Sequence, residues 1–339
     1  IITIANQGDR DRAFTASNEF ENAIPGNIRS AQFRMYLEFL DENMEGTESW
    51  LDSVAARNRG TVFDEIQVLD DHDNLMMAQG RLAEGREYHK KMASLQRNRE
   101  DWEVLSQTSN RTRRIDSLSM VFDLEWERAL LTGDRTKLQA AYTILESEIE
   151  AAGGIEEDNE GPRAWFAMVF ASTGDMEKAS FWREEHRAYH AKSGEENTPW
   201  GRMVDAYVDT KNGGDPDEGI RLIQKATEDM GCASSGCWSR LMGEIEESRG
   251  NVGAAIDYYE HGVDGYRFFK LRQDEGVIAL DNFKLGALNE QLGNTDEAIR
   301  RYTYMAERWK NADNDLQPQV AEAHRRIETL LDRKAQEQN

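Results

Sequence analysis

The chain has 339 residues, with 41 Lys and Arg against 64 Asp and Glu, a formal charge of −23, 39% hydrophobic residues and only five prolines. So acidic a surface repels phosphate backbones and anionic lipid heads, which argues against nucleic acid and against binding to a charged membrane surface. The hydrophobic fraction is too high for a disordered chain, no apolar run reaches a bilayer-spanning length, and scarce proline with abundant Ala, Glu, Leu, Arg and Gln favours helices.

Taken in chain order, the sequence starts on Ile1. Residues 1–8 read as the end of a helix begun earlier. The expectation is a processed chain or the carboxyl part of a longer product, whose preceding segment could carry a signal or an anchor. Gly8-Asp9 then opens a helix whose partner is short or missing, so its apolar face should want cover.

From there one unit recurs: an amphipathic stretch, a Gly followed by a capping residue, and a second amphipathic stretch. The turns fall at Gly8-Asp9, Gly46-Thr47, Gly80-Arg81, Gly133-Asp134, Gly174-Asp175, Gly214-Asp215, Gly250-Asn251 and Gly293-Asn294. Successive glycines are 38, 34, 53, 41, 40, 36 and 43 residues apart. Two antiparallel helices of about 12–15 residues with two short turns fill that length. Gly takes the left-handed conformation that ends a helix, and Asp, Asn or Thr accepts from the free amides that open the next. Five residues after most turn glycines stands a small residue, at Ala13, Gly85, Ala179, Gly219, Ala255 and Ala298, which lets two helices approach closely. Tyr142, Tyr259 and Tyr302 follow four residues past that position and are large enough to fill the seam between units.

The segments Leu285-Gly286, Gly293, Ala298, Tyr302 and Met242-Gly243, Gly250, Ala255, Tyr259 resemble tetratricopeptide repeats, with weaker agreement near Gly174 and Gly214. Around Gly133 the pattern departs, with Leu138 at the small position, and at Gly80 the cap position holds Arg81. The resemblance implies an all-α, right-handed superhelical solenoid of about seven or eight antiparallel hairpins, one array over 1–339. Residues 1–100 are degenerate repeats assigned by rhythm, 118–312 are clearer ones, and 319–339 form a capping helix. Because each hairpin of such an array touches only its neighbours, loss of an internal one should shorten it without destroying the rest.

A narrower resemblance covers about the last 110 residues, from the paired cysteines through Gly250–Glu260 to Trp309–Val320. That stretch is similar to the carboxyl-terminal repeats of bacterial eukaryotic-like serine/threonine kinases and related regulators. No Gly-rich nucleotide loop, His-Arg-Asp or Asp-Phe-Gly accompanies it.

Cys232 and Cys237 are the two cysteines, with four residues between them in a Gly/Ser-rich stretch. They can close a short disulfide loop, which implies an oxidising and hence extracytoplasmic, periplasmic location, or flank a turn as reduced thiols. Zinc would need a second pair of ligands that the sequence lacks. His186 and His190 stand four apart and could share a metal, but the neighbouring Arg183 and Arg187 favour a solvated helix face. Asp70-Asp71-His72-Asp73 and Glu156–Glu160 lack the spacing of a calcium loop and read as solvated loops. The basic cluster Arg97, Arg99, Arg111, Arg113 and Arg114 is expected to pair internally, the aromatics of Asp264–Lys270 to pack over a seam, and most of the eight tryptophans to fill wedges between units.

No catalytic signature is present, so the expectation is a non-enzymatic protein–protein scaffold without metal or cofactor. It would bind a protein or peptide through its concave face or an exposed end, or serve as a subunit of a membrane-associated complex. The alternative is an extracytoplasmic sensor region of a larger signalling protein. Counting from the Leu-Gly pair, the partner-facing first-helix positions are Asp123, Glu127, Arg240, Glu244, Glu247, Phe283 and Glu290. So many carboxylates should prefer a basic or polar ligand.

Overall fold

A computed structural model describes residues 1, 4–5, 9–57, 62–97, 122, 125–126, 128–130, 132–151, 161–193, 198–231, 238–265 and 277–337. All regular structure among them is helical. In chain order the helices are α1 (Arg10–Ala23), α2 (Ile28–Leu40), α3 (Met44–Arg57), α4 (Val62–Ala78), α5 (Leu82–Arg97), α6 (Thr136–Ala151), α7 (Gly161–Thr173) and α8 (Met176–Ser193). They continue with α9 (Pro199–Lys211), α10 (Pro216–Asp229), α11 (Ser239–Ser248), α12 (Val252–Gly265), α13 (Val277–Gln291), α14 (Thr295–Arg308) and α15 (Gln317–Glu337). Consecutive helices pair, α2 with α3, α4 with α5, α7 with α8, α9 with α10 and α11 with α12, and the first helices α7, α9 and α11 also pack on one another in turn. Among the described residues the chain is all-α, an array of consecutive helical hairpins.

The motif residues show why. Every small position is buried: Ala13, Ala179, Ala255 and Ala298 have no exposed surface, and Gly85 and Gly219 are buried as well. A Cβ on Gly286 would lie 2.7 Å from the Tyr302 ring, and one on Gly243 would lie 3.1 Å from that of Tyr259. Each tyrosine therefore lies flat against the glycine of the Leu-Gly pair in the preceding helix. Gly133, Gly174, Gly250 and Gly293 hold the left-handed conformation expected of a helix-ending residue. Asp9, Asp134, Asp175 and Asp215 accept from backbone amides of the helices they open. Asn251 and Asn294 act differently. Their side-chain amides reach back to Glu246 and Asn289 and tie the turn to the helix just ended.

Two of the expected turns need correction. Gly46 lies inside α3. The left-handed residue of that turn is Glu42, and Asn43 caps the helix by accepting from the Gly46 amide at 3.0 Å. In the turn before α10 the left-handed residue is Gly213, not Gly214. The first helix is also not bare: α1 packs on α2 and buries Ala13 and Ser17.

The chain divides into two compact units. The second gathers described residues from 122 to 265 with Asp281–Tyr304 and 322–337. One hydrophobic core runs through it from Phe122 to Ile245. The first gathers described residues up to 97 with 277–280 and Met305–Ala321. Here the nearest-neighbour expectation fails. The Asp313 amide donates to the Gly80 carbonyl at 3.0 Å, and its carboxylate accepts from the Ala83 amide at 2.8 Å. Asp313 thus caps α5 from 230 residues away, at the turn where Arg81 fills the local cap position. Gly80 makes the approach possible, since a Cβ there would lie 2.8 Å from Ala312. Arg308, itself buried, places its guanidinium 4.7 Å from the centre of the Phe39 ring.

Candidate functional site

The first-helix positions singled out in the sequence are largely engaged by partners within the chain. On α11, Arg240 donates through Nε to Glu244 at 3.0 Å, and its Nη1 lies 3.1 Å from Asp281 of α13. Glu244 also accepts from the Tyr207 hydroxyl of α9 at 2.9 Å, with the Lys211 ammonium at 3.5 Å. One turn on, Glu247 accepts from Tyr259 at 2.6 Å and from Lys284 of α13 at 3.2 Å. Lys284 Nζ also stands 3.1 Å from the Tyr259 oxygen. The result is a polar ladder across three successive first helices, α9, α11 and α13.

Three cations, Lys211, Arg240 and Lys284, face three carboxylates, Glu244, Glu247 and Asp281, so the ladder is neutral. Burial pushes the Glu244 carboxyl up, but Arg240, Lys284 and Lys211 outweigh it and hold it down to about 2. Burial likewise drives the phenols of Tyr207 and Tyr259 up, helped by the carboxylates beside them, so both stay protonated donors. Chemically the ladder offers fixed donors and acceptors, each already matched. The pull on a basic ligand expected at Glu244 and Glu247 is answered from within the chain.

Phe283 and Glu290 lie further along α13. Phe283 packs against Tyr302 with ring centroids 5.4 Å apart. Glu290 accepts from Tyr302 at 3.2 Å and from Arg326 of α15 at 2.9 Å, with Arg333 at 3.7 Å. The structure therefore brings Arg240, Glu244 and Glu247 together and sets Phe283 and Glu290 around Tyr302. Asp123, Glu127, Cys232, Cys237, the Glu156–Glu160 run, Arg99, Arg111, Arg113 and Arg114 of the basic cluster and the Tyr266–Lys270 aromatics lie outside the described residues, and Arg97 is the last residue of α5. Sequence reasoning missed Tyr207, Lys211, Asp281, Lys284 and Arg326. The available signal was an offset near the repeat length: Tyr207 to Glu244 and Glu247 to Lys284 each span 37 residues.

Two sequence expectations are overturned by burial. His186 and His190 do not face solvent; they are 1% and 4% exposed. They fall on the same stripe of α8 as buried Ala179 and Trp182, at intervals of three, four and four, a signal readable in the sequence. Asp70–Asp73 is no loop but part of α4, with Asp71 and Asp73 buried. Tyr36 donates to Asp71 at 3.1 Å, and Asp73 stands 3.0 Å from His89 Nδ1. Burial raises the Asp73 carboxyl even though the His89 contact opposes it. The tryptophans behave as wedges: Trp309 and Trp182 are buried, while Trp126, Trp165, Trp200 and Trp238 pack on the core partly covered. Among the described residues no helix is long and apolar enough to cross a membrane.

No protein family's sequence profile matches the chain, and no curated protein does. Among solved structures, the TPR domain of P58(IPK) is similar to it at 14% identity and a TM-score of 0.24, over 96% of each chain. The hairpin build itself is seen in the packing of consecutive helices.

Proposed function

We propose that the protein is a non-catalytic scaffold that binds a protein or peptide segment along its first-helix face. The observation that supports this most is the ladder of α9, α11 and α13. Its matched charges fix neighbouring first helices before any ligand arrives, and a face ordered in advance loses less freedom on binding. The ladder is neutral as a whole, so local affinity comes from its edge: from Phe283, and from the half-exposed Glu247, whose contacts with Tyr259 and Lys284 are both made by Oε2. The chain's net charge of −23 steers basic partners toward it from a distance.

The test is selection of a displayed peptide library on the full chain, followed by titration of enriched peptides against the Glu247→Lys and Phe283→Ala variants. Binding that weakens at least tenfold in both, with the helical circular dichroism signal unchanged, supports the reading. Enrichment no better than on an unrelated helical repeat, or binding untouched by both changes, removes it.

A further inference from the structure

We propose that His186 and His190 form a two-imidazole site for a late divalent transition metal, Zn²⁺, Ni²⁺ or Cu²⁺. The two side chains leave the same face of α8 one turn apart, and their Nε2 atoms are 3.2 Å apart. Metal–imidazole bonds run about 2.0–2.1 Å, so two nitrogens at that separation subtend roughly 100° at a shared ion, between octahedral and tetrahedral angles. The separation a chelate needs is in place without any rearrangement of α8.

The surroundings leave room for an ion. Both rings border a cavity of about 280 Å³ between α8 and α9, which Arg187, Thr198, Arg202 and Asp205 also line. That volume holds an ion with several waters at about 30 Å³ each. Gly201 keeps the wall thin, since a Cβ there would come within 3.3 Å of His186 Cε1. The two guanidiniums at the cavity are neutralised: Arg187 is chelated by Asp205 at 2.9 and 3.1 Å, and Arg202 pairs with Asp229. The repulsion a cation would otherwise meet is thereby cancelled.

Imidazole selects zinc, nickel and copper over magnesium and calcium, which prefer oxygen. Among the described residues no set of three His, Cys, Asp or Glu donors converges, so water completes the coordination. With neutral rings, one Nε2 now donates to the other. Metal binding moves that proton to the donor ring's own Nδ1 and leaves both Nε2 lone pairs on the ion.

The test titrates Zn²⁺ and Ni²⁺ into the full chain by calorimetry, beside His186→Gln, His190→Gln, the double variant, and the exposed controls His261→Gln and His324→Gln. The expected result is one saturable equivalent, weakened at least tenfold by either single change, abolished by the double, and unaltered by the controls. Mg²⁺ and Ca²⁺ should not bind. Failure of the wild type to bind, or uptake that survives in the double variant, overturns the proposal. Should the variants not fold, the wild type is loaded with Cu²⁺, treated with ascorbate and mapped by mass spectrometry. Oxidised histidine concentrated at positions 186 and 190 supports the site, and oxidation centred elsewhere overturns it.

Discussion

The two compact units hold their helices by different means. In the second unit the joins are regular: a glycine on a tyrosine, a small residue in most hairpin seams, and a charge ladder between helices one repeat apart. In the first unit the decisive joins come from far along the chain, where Asp313 caps α5 and Arg308 covers Phe39. A repeat motif is thus a local solution to helix packing. Where it decays, as at Gly80-Arg81, a distant segment supplies the missing hydrogen bond.

The largest expected effect is in the ladder. Arg240→Ala leaves the buried Asp281 and the part-buried Glu244 without their shared cation, and removing one partner of a buried pair costs roughly 3–5 kcal/mol. Denaturant unfolding of the variant should show that loss, and a change under 1 kcal/mol would mean the ladder is ornamental. Acid sharpens the comparison between units. Glu244 has its folded value lowered from 4.5 to about 2, so its contribution is complete above about 5 and disappears as pH falls toward 2, about 3 kcal/mol in all. Asp73 of the first unit is raised instead, so its burial penalty applies above its folded value and is relieved as pH falls through it toward 3.8. Hydrogen exchange followed from pH 6 to pH 3 should therefore show α11 loosening relative to α4. The opposite order would contradict both assignments.

Smaller effects test the seams. Gly286→Ala forces a methyl group into the Tyr302 ring and should cost about 1–3 kcal/mol, more than Gly243→Ala, where the gap is wider. Thermal melts of the two variants give the ranking directly. Asp313→Ala should cost about 1 kcal/mol, the usual worth of a cap, with faster amide exchange confined to the first turn of α5. If exchange rises equally in α10, whose cap is its own Asp215, the assignment of Asp313 to α5 is wrong.

The sequence made the glycine, alanine and tyrosine positions legible, because these act within one hairpin and their spacing is fixed by helix geometry. Gly46-Thr47 misled because it has the composition of a turn, while the left-handed residue is Glu42 and the cap is Asn43. Arg183 and Arg187 made the face of His186 and His190 look wet, although the stripe from Ala179 through Trp182 predicts burial. The first-helix charges were legible as positions; Arg240 and Glu244 share α11, but the cross-helix partners Tyr207, Asp281 and Lys284 each sit about one repeat away. Asp313 was beyond local reasoning altogether: nothing near residue 83 points to a carboxylate 230 residues downstream.

That distant cap also sets an order of events during synthesis. At about 5–20 residues per second, a chain needs roughly 10–50 s to add the residues that separate Ala83 from Asp313. Throughout that interval α5 has left the ribosome with the amides of its first turn lacking their final acceptor, while the self-capped hairpins made after it can close as they emerge. The helices translated first are among the last to be finished, and a chaperone that shields nascent chains would find its longest-lived client in the segment around Leu82.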